Sequence, residues 1–276
     1  MRDPNFSESQ LQQAVNTAYM RKIFEVSGQW VFANVPSLFD EFDLGWDSAF
    51  HFPWLHYPPA DNHEGCNFFL QYKLSGQLTS AGAKEWQFWN SEYFRFKIPH
   101  STKNANGAFV DDFHQWERLK ELAKLNYPTF YATNSTLSKD DLKNESNAGT
   151  LLNTIPMLDV RTVVNLHKHV TFTPPSPHFL MHSEKEEVKK TSFAEAIELL
   201  SELPAETLDE SNKRLLHALG EIGGRDENWR ADFSKIHQLG DGPFPERFRP
   251  WIMHSMLSSF IRKHIGANML RMPKNG

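Results

Sequence analysis

The feature that most constrains this chain is a change of hydrophobic period within its first 133 residues. The period begins helical, turns to strict alternation, becomes helical again and ends on a short apolar strand. Leu11, Val15, Ala18, Tyr19 and Ile23 recur at helical spacing and predict one apolar face over residues 8–25. Ser7 and Gln10 have the spacing of a capping box in front of it. Gly28 breaks the helix, and Trp30 to Asn34 reads as a strand closed by Pro36. Residues 46–52 alternate, with Trp46, Ser48, Phe50 and Phe52 on one side and Asp47, Ala49 and His51 on the other. Residues 67–74 alternate too: Phe68, Leu70, Tyr72 and Leu74 share one face, and Phe69, Gln71 and Lys73 the other.

Tyr93 to Ile98 reads as an added strand. Asp111 and Asp112 are expected to open a helix whose inner face is Phe113, Trp116, Leu119, Leu122 and Ala123, since acids suit a first helical turn. Pro128 stops it, and Thr129 to Thr133 is a buried-type strand. Further strands are expected over 162–173 and 178–182, and helices over Phe193–Leu203, Leu208–Leu219 and Pro250–Leu270. The order predicts an α/β (α+β) domain over residues 1–188, with a helical C-terminal region, 189–276, packed on it.

Composition narrows the function classes. Thirty-six aromatic residues in 276 exclude a disordered chain. The longest unbroken apolar run is Trp30–Ala33, far short of a membrane span. One cysteine, Cys66, excludes an internal disulfide framework. With no apolar stretch behind a basic start, the expectation is a cytoplasmic protein without a membrane partner. The net charge is −5, all of it in residues 1–150, whereas residues 151–276 balance at zero. From Arg247 onward there are six basic residues and no acid, which reads as a packed C-terminal helix with a solvated basic face.

One constellation carries chemistry. Gln71 and Lys73 point the same way because a strand has a period of two. If the 46–52 strand is their neighbour, Asp47 meets both. A carboxylate with an amide oxygen suits a hard cation such as Mg²⁺ or Mn²⁺, and a lysine beside it orients or deprotonates water and offsets phosphate charge.

On these residues the chain resembles the PD-(D/E)xK nuclease superfamily. Helix 8–25, a strand, the Gly45-Trp46-Asp47 strand, the Gln71-Tyr72-Lys73 strand, helix 111–125 and strand 129–133 are similar to its restriction-endonuclease-like αβββαβ core, here with added strands. Gln-x-Lys is similar to the Mrr-like variant of its motif. The resemblance covers roughly residues 8–133. It implies that Asp47 and Gln71 hold the metal and Lys73 assists the attacking water. Glu41 is the chosen third acid, ahead of Glu25 and Asp43. By resemblance Gln115 or His114 would reach the site from the following helix. By strand parity His51 lies on the Asp47 face and would touch the phosphate, and Arg95 and Lys97 share a face and would line a groove. The implied activity is Mg²⁺-dependent phosphodiester hydrolysis in defence or DNA processing, with DNA as partner, in a form compatible with a homodimer. The alternative is a catalytically inactive member that binds nucleic acid or protein, since Gln71 removes a negative charge from the metal site.

Other clusters have plainer readings. His51, His56, His63 and Cys66 crowd one segment but fit no zinc spacing. His167 and His169 would share a strand face. Trp86, Phe88, Trp89, Tyr93, Phe94 and Phe96 interleave with Lys84, Arg95 and Lys97 and read mainly as core under a hairpin. Gly220, Gly223 and Gly224 lack a following Lys-Ser/Thr and read as a helix end.

Overall fold

The computed structural model describes residues 1–27, 64–103, 107–183, 185–223, 226–240, 246 and 249–274. Helix α1 (Glu8–Ser27) opens on the expected capping box. Ser7 Oγ accepts from Gln10 N at 3.2 Å, and Gln10 Oε1 accepts from Ser7 N at 2.9 Å. Its apolar stripe is buried at Leu11, Val15, Tyr19 and Ile23, each stabilising the fold by on the order of 2 kcal/mol.

The strands are β1 (Gly65–Lys73), β2 (Gly76–Leu78), β3 (Tyr93–Lys97), β4 (His100–Lys103), β5 (Phe109–Asp112), β6 (Thr129–Thr133), β7 (Pro156–Asp159), β8 (His169–Phe172), β9 (His178–His182), β10 (Glu186–Lys189), β11 (Thr191–Ser192) and β12 (Asn268–Pro273). The helices after α1 are α2 (Trp86–Trp89), α3 (His114–Lys124), α4 (Lys139–Ala148), α5 (Leu151–Thr154), α6 (Phe193–Ser201), α7 (Leu208–Ile222), α8 (Glu227–Gly240) and α9 (Arg249–Ile265). The protein is therefore a mixed α/β structure.

Three sheets form among the described residues. The first has the order β11-β7-β6-β1-β12, the second β10-β9-β8-β3-β2, and the third pairs β4 with β5. In the first sheet β1 runs parallel to β6, with α3 in the crossover, and antiparallel to β12. Every residue of β1 is buried. Phe68, Leu70 and Tyr72 enter one core with Leu11, Val15 and Tyr19, while Phe69 enters a second core with Trp116, Leu119 and Leu122 of α3. The expected alternation of this strand is thus realised, with both faces covered as a central parallel strand requires.

Several sequence expectations are corrected. Asp111 and Asp112 end β5 rather than opening a helix. The helix begins at His114, whose N–H donates to Asp112 Oδ1 at 2.9 Å. The 162–173 strand shrinks to β8, behind a strand at Pro156–Asp159 and a short 3-10 turn. The last helix stops at Ile265, because Gly266 takes a left-handed φ of 74° and turns the chain into β12. The region after residue 189 therefore also supplies strands β11 and β12 to the first sheet. The basic face of that region is not simply solvated. Arg271 is buried and donates to Asn67 Oδ1 and Ser211 Oγ at 3.1 and 3.0 Å, and Arg262 donates to Gln12 Oε1 and Asn268 Oδ1 at 3.0 and 2.6 Å.

Candidate functional site

The pairing of β1 with β12 ends at Leu70 opposite Asn268, whereas pairing with β6 continues to Lys73 opposite Thr133. Among the described residues the carboxyl end of β1 is thus paired on one side only. Asn134 clamps it: its Oδ1 accepts from Ser75 N at 2.8 Å and its Nδ2 donates to Ser75 O at 2.9 Å. Crevices beyond the carboxyl ends of parallel strands are where open α/β sheets place ligands. Gln71 and Lys73 lie at that end of β1, and neither is solvated: Gln71 is 3% exposed and Lys73 6%.

Lys73 Nζ lies 2.8 Å from Nε2 of His100, the first residue of β4. Burial pulls the Lys73 ammonium down to about 8; Glu8 in the first turn of α1 opposes the shift and Lys97 adds to it. His100 is also pushed below its usual value, first by burial and then by the Lys73 charge, against a hydrogen bond with Gln115 and the Asp112 carboxylate. The two shifts agree: a charged Lys73 donates, so His100 is neutral and accepts. Glu8 belongs to an exposed residue, yet its carboxyl is raised by the packing around it, against attraction from Lys73 and Arg262.

Gln71 Nε2 donates to Gln115 Oε1 on α3. Gln71 Oε1 is buried and has no hydrogen-bond partner among the described residues. An orphaned carbonyl oxygen is costly unless something accepts its lone pairs, and a hard oxygen donor of this kind fits a hard cation. Among the described residues no three His, Cys, Asp or Glu side chains group as a metal site. The further ligands assigned by resemblance, Asp47 and Glu41, lie outside the described residues, as do Asp43, His51, His56 and His63.

The described candidates divide. Gln71, Lys73 and Gln115 come together, and Lys97 acts electrostatically on both Lys73 and His100. Arg95 sits one alternation back on β3, 3.4 Å from Glu85. Glu25 does not join them; it pairs with Arg21 at 2.8 Å on the exposed end of α1. His114 lies 3.5 Å from Arg118 rather than at Gln71. Cys66 is buried, donates to Leu200 O at 3.6 Å and has its thiol pushed up to about 11, the reverse of what a metal thiolate needs. His167 is buried against Glu186 at 2.8 Å ahead of β8, so it does not pair with His169. Glu8 and His100 were missed by the sequence reading. Glu8 was visible only as an acid just after the Ser7 cap, and His100 carried no signal.

No protein-family model matches the chain, and neither a curated protein nor a solved structure does. Among the described residues no helix is long and apolar enough to cross a membrane.

Proposed function

We propose that this chain is a metal-dependent nuclease of the PD-(D/E)xK type, with a restriction-endonuclease-like core, acting on DNA in the cytoplasm. The observation that carries the reading is a buried lysine at the carboxyl end of β1, beside a glutamine whose oxygen has no hydrogen-bond partner among the described residues. Gln71 Oε1, with Asp47 and Glu41 by resemblance, would hold Mg²⁺, which when bound supplies positive charge at the scissile phosphate.

The chain's own groups have separate roles. Lys73, held down to about 8, yields neutral amine near that pH and takes a proton from the attacking water. His100 holds the Lys73 nitrogen in place at 2.8 Å. Gln115 fixes the amide of Gln71 by accepting from its Nε2, which leaves the Oε1 of Gln71 for the metal.

The test is cleavage of labelled single- and double-stranded DNA and of RNA with Mg²⁺ or Mn²⁺. Wild-type protein cuts; Asp47→Ala and Lys73→Ala abolish cutting while circular dichroism is unchanged. No cleavage of any of these substrates by wild-type protein overturns the reading. The neutral amide of Gln71 favours the second reading, an inactive nuclease-fold module. In that case nucleic-acid or protein binding survives Asp47→Ala and needs no metal.

A further inference from the structure

The two edges of the second sheet are finished differently. At β2 the N-terminal segment covers the edge: Arg2 N donates to Gln77 O and Gln77 N to Arg2 O, both at 2.8 Å. At β10 no strand among the described residues pairs the outer side. Lys190 N donates to Pro177 O at 2.9 Å, and the register sets Lys189 opposite His178. Alternate residues of an antiparallel strand bond to opposite sides. Val188 and Lys190 therefore bond inward to β9, and Glu187 and Lys189 turn their N–H and C=O outward. An open row of this kind is a template for another strand.

The side chains along this edge decide which strand fits it. Val188 is buried in the core, whereas Glu187 and Lys189 are exposed on the other face. One acid and one base thus stand either side of Val188, which makes the strand complementary to itself. When two copies pair antiparallel about Val188, Glu187 of each lies opposite Lys189 of the other. These are also the residues whose backbone groups face outward, so each pair exchanges both main-chain hydrogen bonds. A slip of two residues puts Glu187 opposite Glu187 or Lys189 opposite Lys189, and like charges repel. A slip of one sets outward-facing residues against inward-facing ones and loses the bonds. Exposed apolar side chains flank the same edge. Phe88, 38% exposed, lies 5.5 Å under Lys185 Nζ, and Val164 and Leu166, 78% and 48% exposed, sit on the loop whose Val164 and Asn165 amides donate to Glu186. Exposed singly such residues are ordinary; gathered at one strand edge they mark a contact surface.

We propose that β10 is the interface of a two-fold homodimer, in which the second sheets of two copies join edge to edge. The occupant of the edge is a second copy of this chain, because the Glu187–Lys189 pattern matches its own antiparallel image. An axis through Val188 makes the contact isologous, so every favourable pair occurs twice. The proposal goes beyond the nuclease reading and does not depend on it.

The test is sedimentation velocity of the full chain over a concentration series. Wild-type protein shows a monomer–dimer equilibrium, a weak one because a short strand edge buries little area. Glu187→Lys and Lys189→Glu each set like charges against each other twice, and each raises the dissociation constant about tenfold or more. Both changes in one chain restore the opposite pairs and return the constant to within about threefold of wild type. Lys213→Glu, on the exposed face of α7, changes nothing. Glu187 and Lys189 are exposed, and thermal melting confirms that each variant is folded. Hydrogen exchange gives a second readout. The Glu187 and Lys189 amides slow as concentration rises, whereas the Val188 amide, already bonded to β9, does not change. Wild-type protein that stays monomeric up to about 0.5 mM overturns the proposal. So does a dimer that ignores both single reversals, or one that the double exchange does not restore.

Discussion

Lys73 Nζ and His100 Nε2 lie 2.8 Å apart inside the protein, and two basic nitrogens at that distance share a single proton. Both groups are held below their usual values, so the pair is poised to lose that proton near pH 8. With Lys73 as proton acceptor, single-turnover cleavage rises with pH through about 8 and then levels. Lys73→Arg keeps the cation and cannot deprotonate, so it loses on the order of 10²-fold in rate or more. A rate that instead falls above pH 8 would show that the charged lysine is the active form.

The same burial has a cost in stability. The folded value of Lys73 is about 8, against 10.5 when unperturbed, so between these values the unfolded chain binds more protons. Stability from this group therefore rises with pH across that window, and below it the full penalty, about 3 kcal/mol, applies. Lys73→Met removes the buried charge but also its attraction to Glu8. It is expected to gain about 2 kcal/mol in urea unfolding at pH 7, a gain that disappears above pH 10.5. A loss of stability at pH 7 would mean that the His100 contact and the attraction of Glu8 outweigh desolvation.

The local pattern made much of this legible. The Ser7–Gln10 box and the stripe from Leu11 to Ile23 are nearest-neighbour physics, and they fold as read. The alternation of Phe68, Phe69, Leu70, Gln71, Tyr72 and Lys73 correctly divided β1 between two cores. Partners far apart in sequence were not legible. Nothing in Asn268 to Pro273 announced a strand beside β1, because Met269, Leu270 and Met272 continue the helical apolar stripe of α9 and only Gly266 interrupts it. The burial of Lys73 was likewise not legible, since alternation gives the face but not what covers it. The electrostatic pull of Glu8 on Lys73, 65 positions away, follows from how α1 packs and has no local trace.

Asp232 on α8 is a buried carboxylate that accepts from His264 Nε2 at 2.9 Å, Lys263 Nζ at 2.8 Å and Lys235 Nζ at 3.3 Å. Burial pushes its carboxyl up, but these three hydrogen bonds together hold it below the usual value. Its stabilising effect is present above the unperturbed 3.8 and is lost as pH falls through the folded value. Asp232→Ala leaves His264, packed against Phe260 and Trp229, without its acceptor. The expected cost is about 3 kcal/mol, read by denaturant unfolding at pH 7. A cost near zero would show that α8 is held by Trp229 alone.

Gly266 ties the C-terminal turn to the candidate site. Its φ of 74° suits glycine, and a Cβ there would overlap the side-chain amide of Gln115. Gly266→Ala therefore strains the backbone by about 1 kcal/mol and pushes Gln115 off Gln71. The expected total loss is about 2 kcal/mol or more in stability, together with slower cleavage from a misplaced Gln71. The two effects separate in a double-mutant cycle. Gln115→Ala removes the atoms that the new methyl would strike, so in that background Gly266→Ala costs only the backbone strain. Strict additivity of the two substitutions would mean that Gly266 acts through the turn alone and that its contact with Gln115 is incidental.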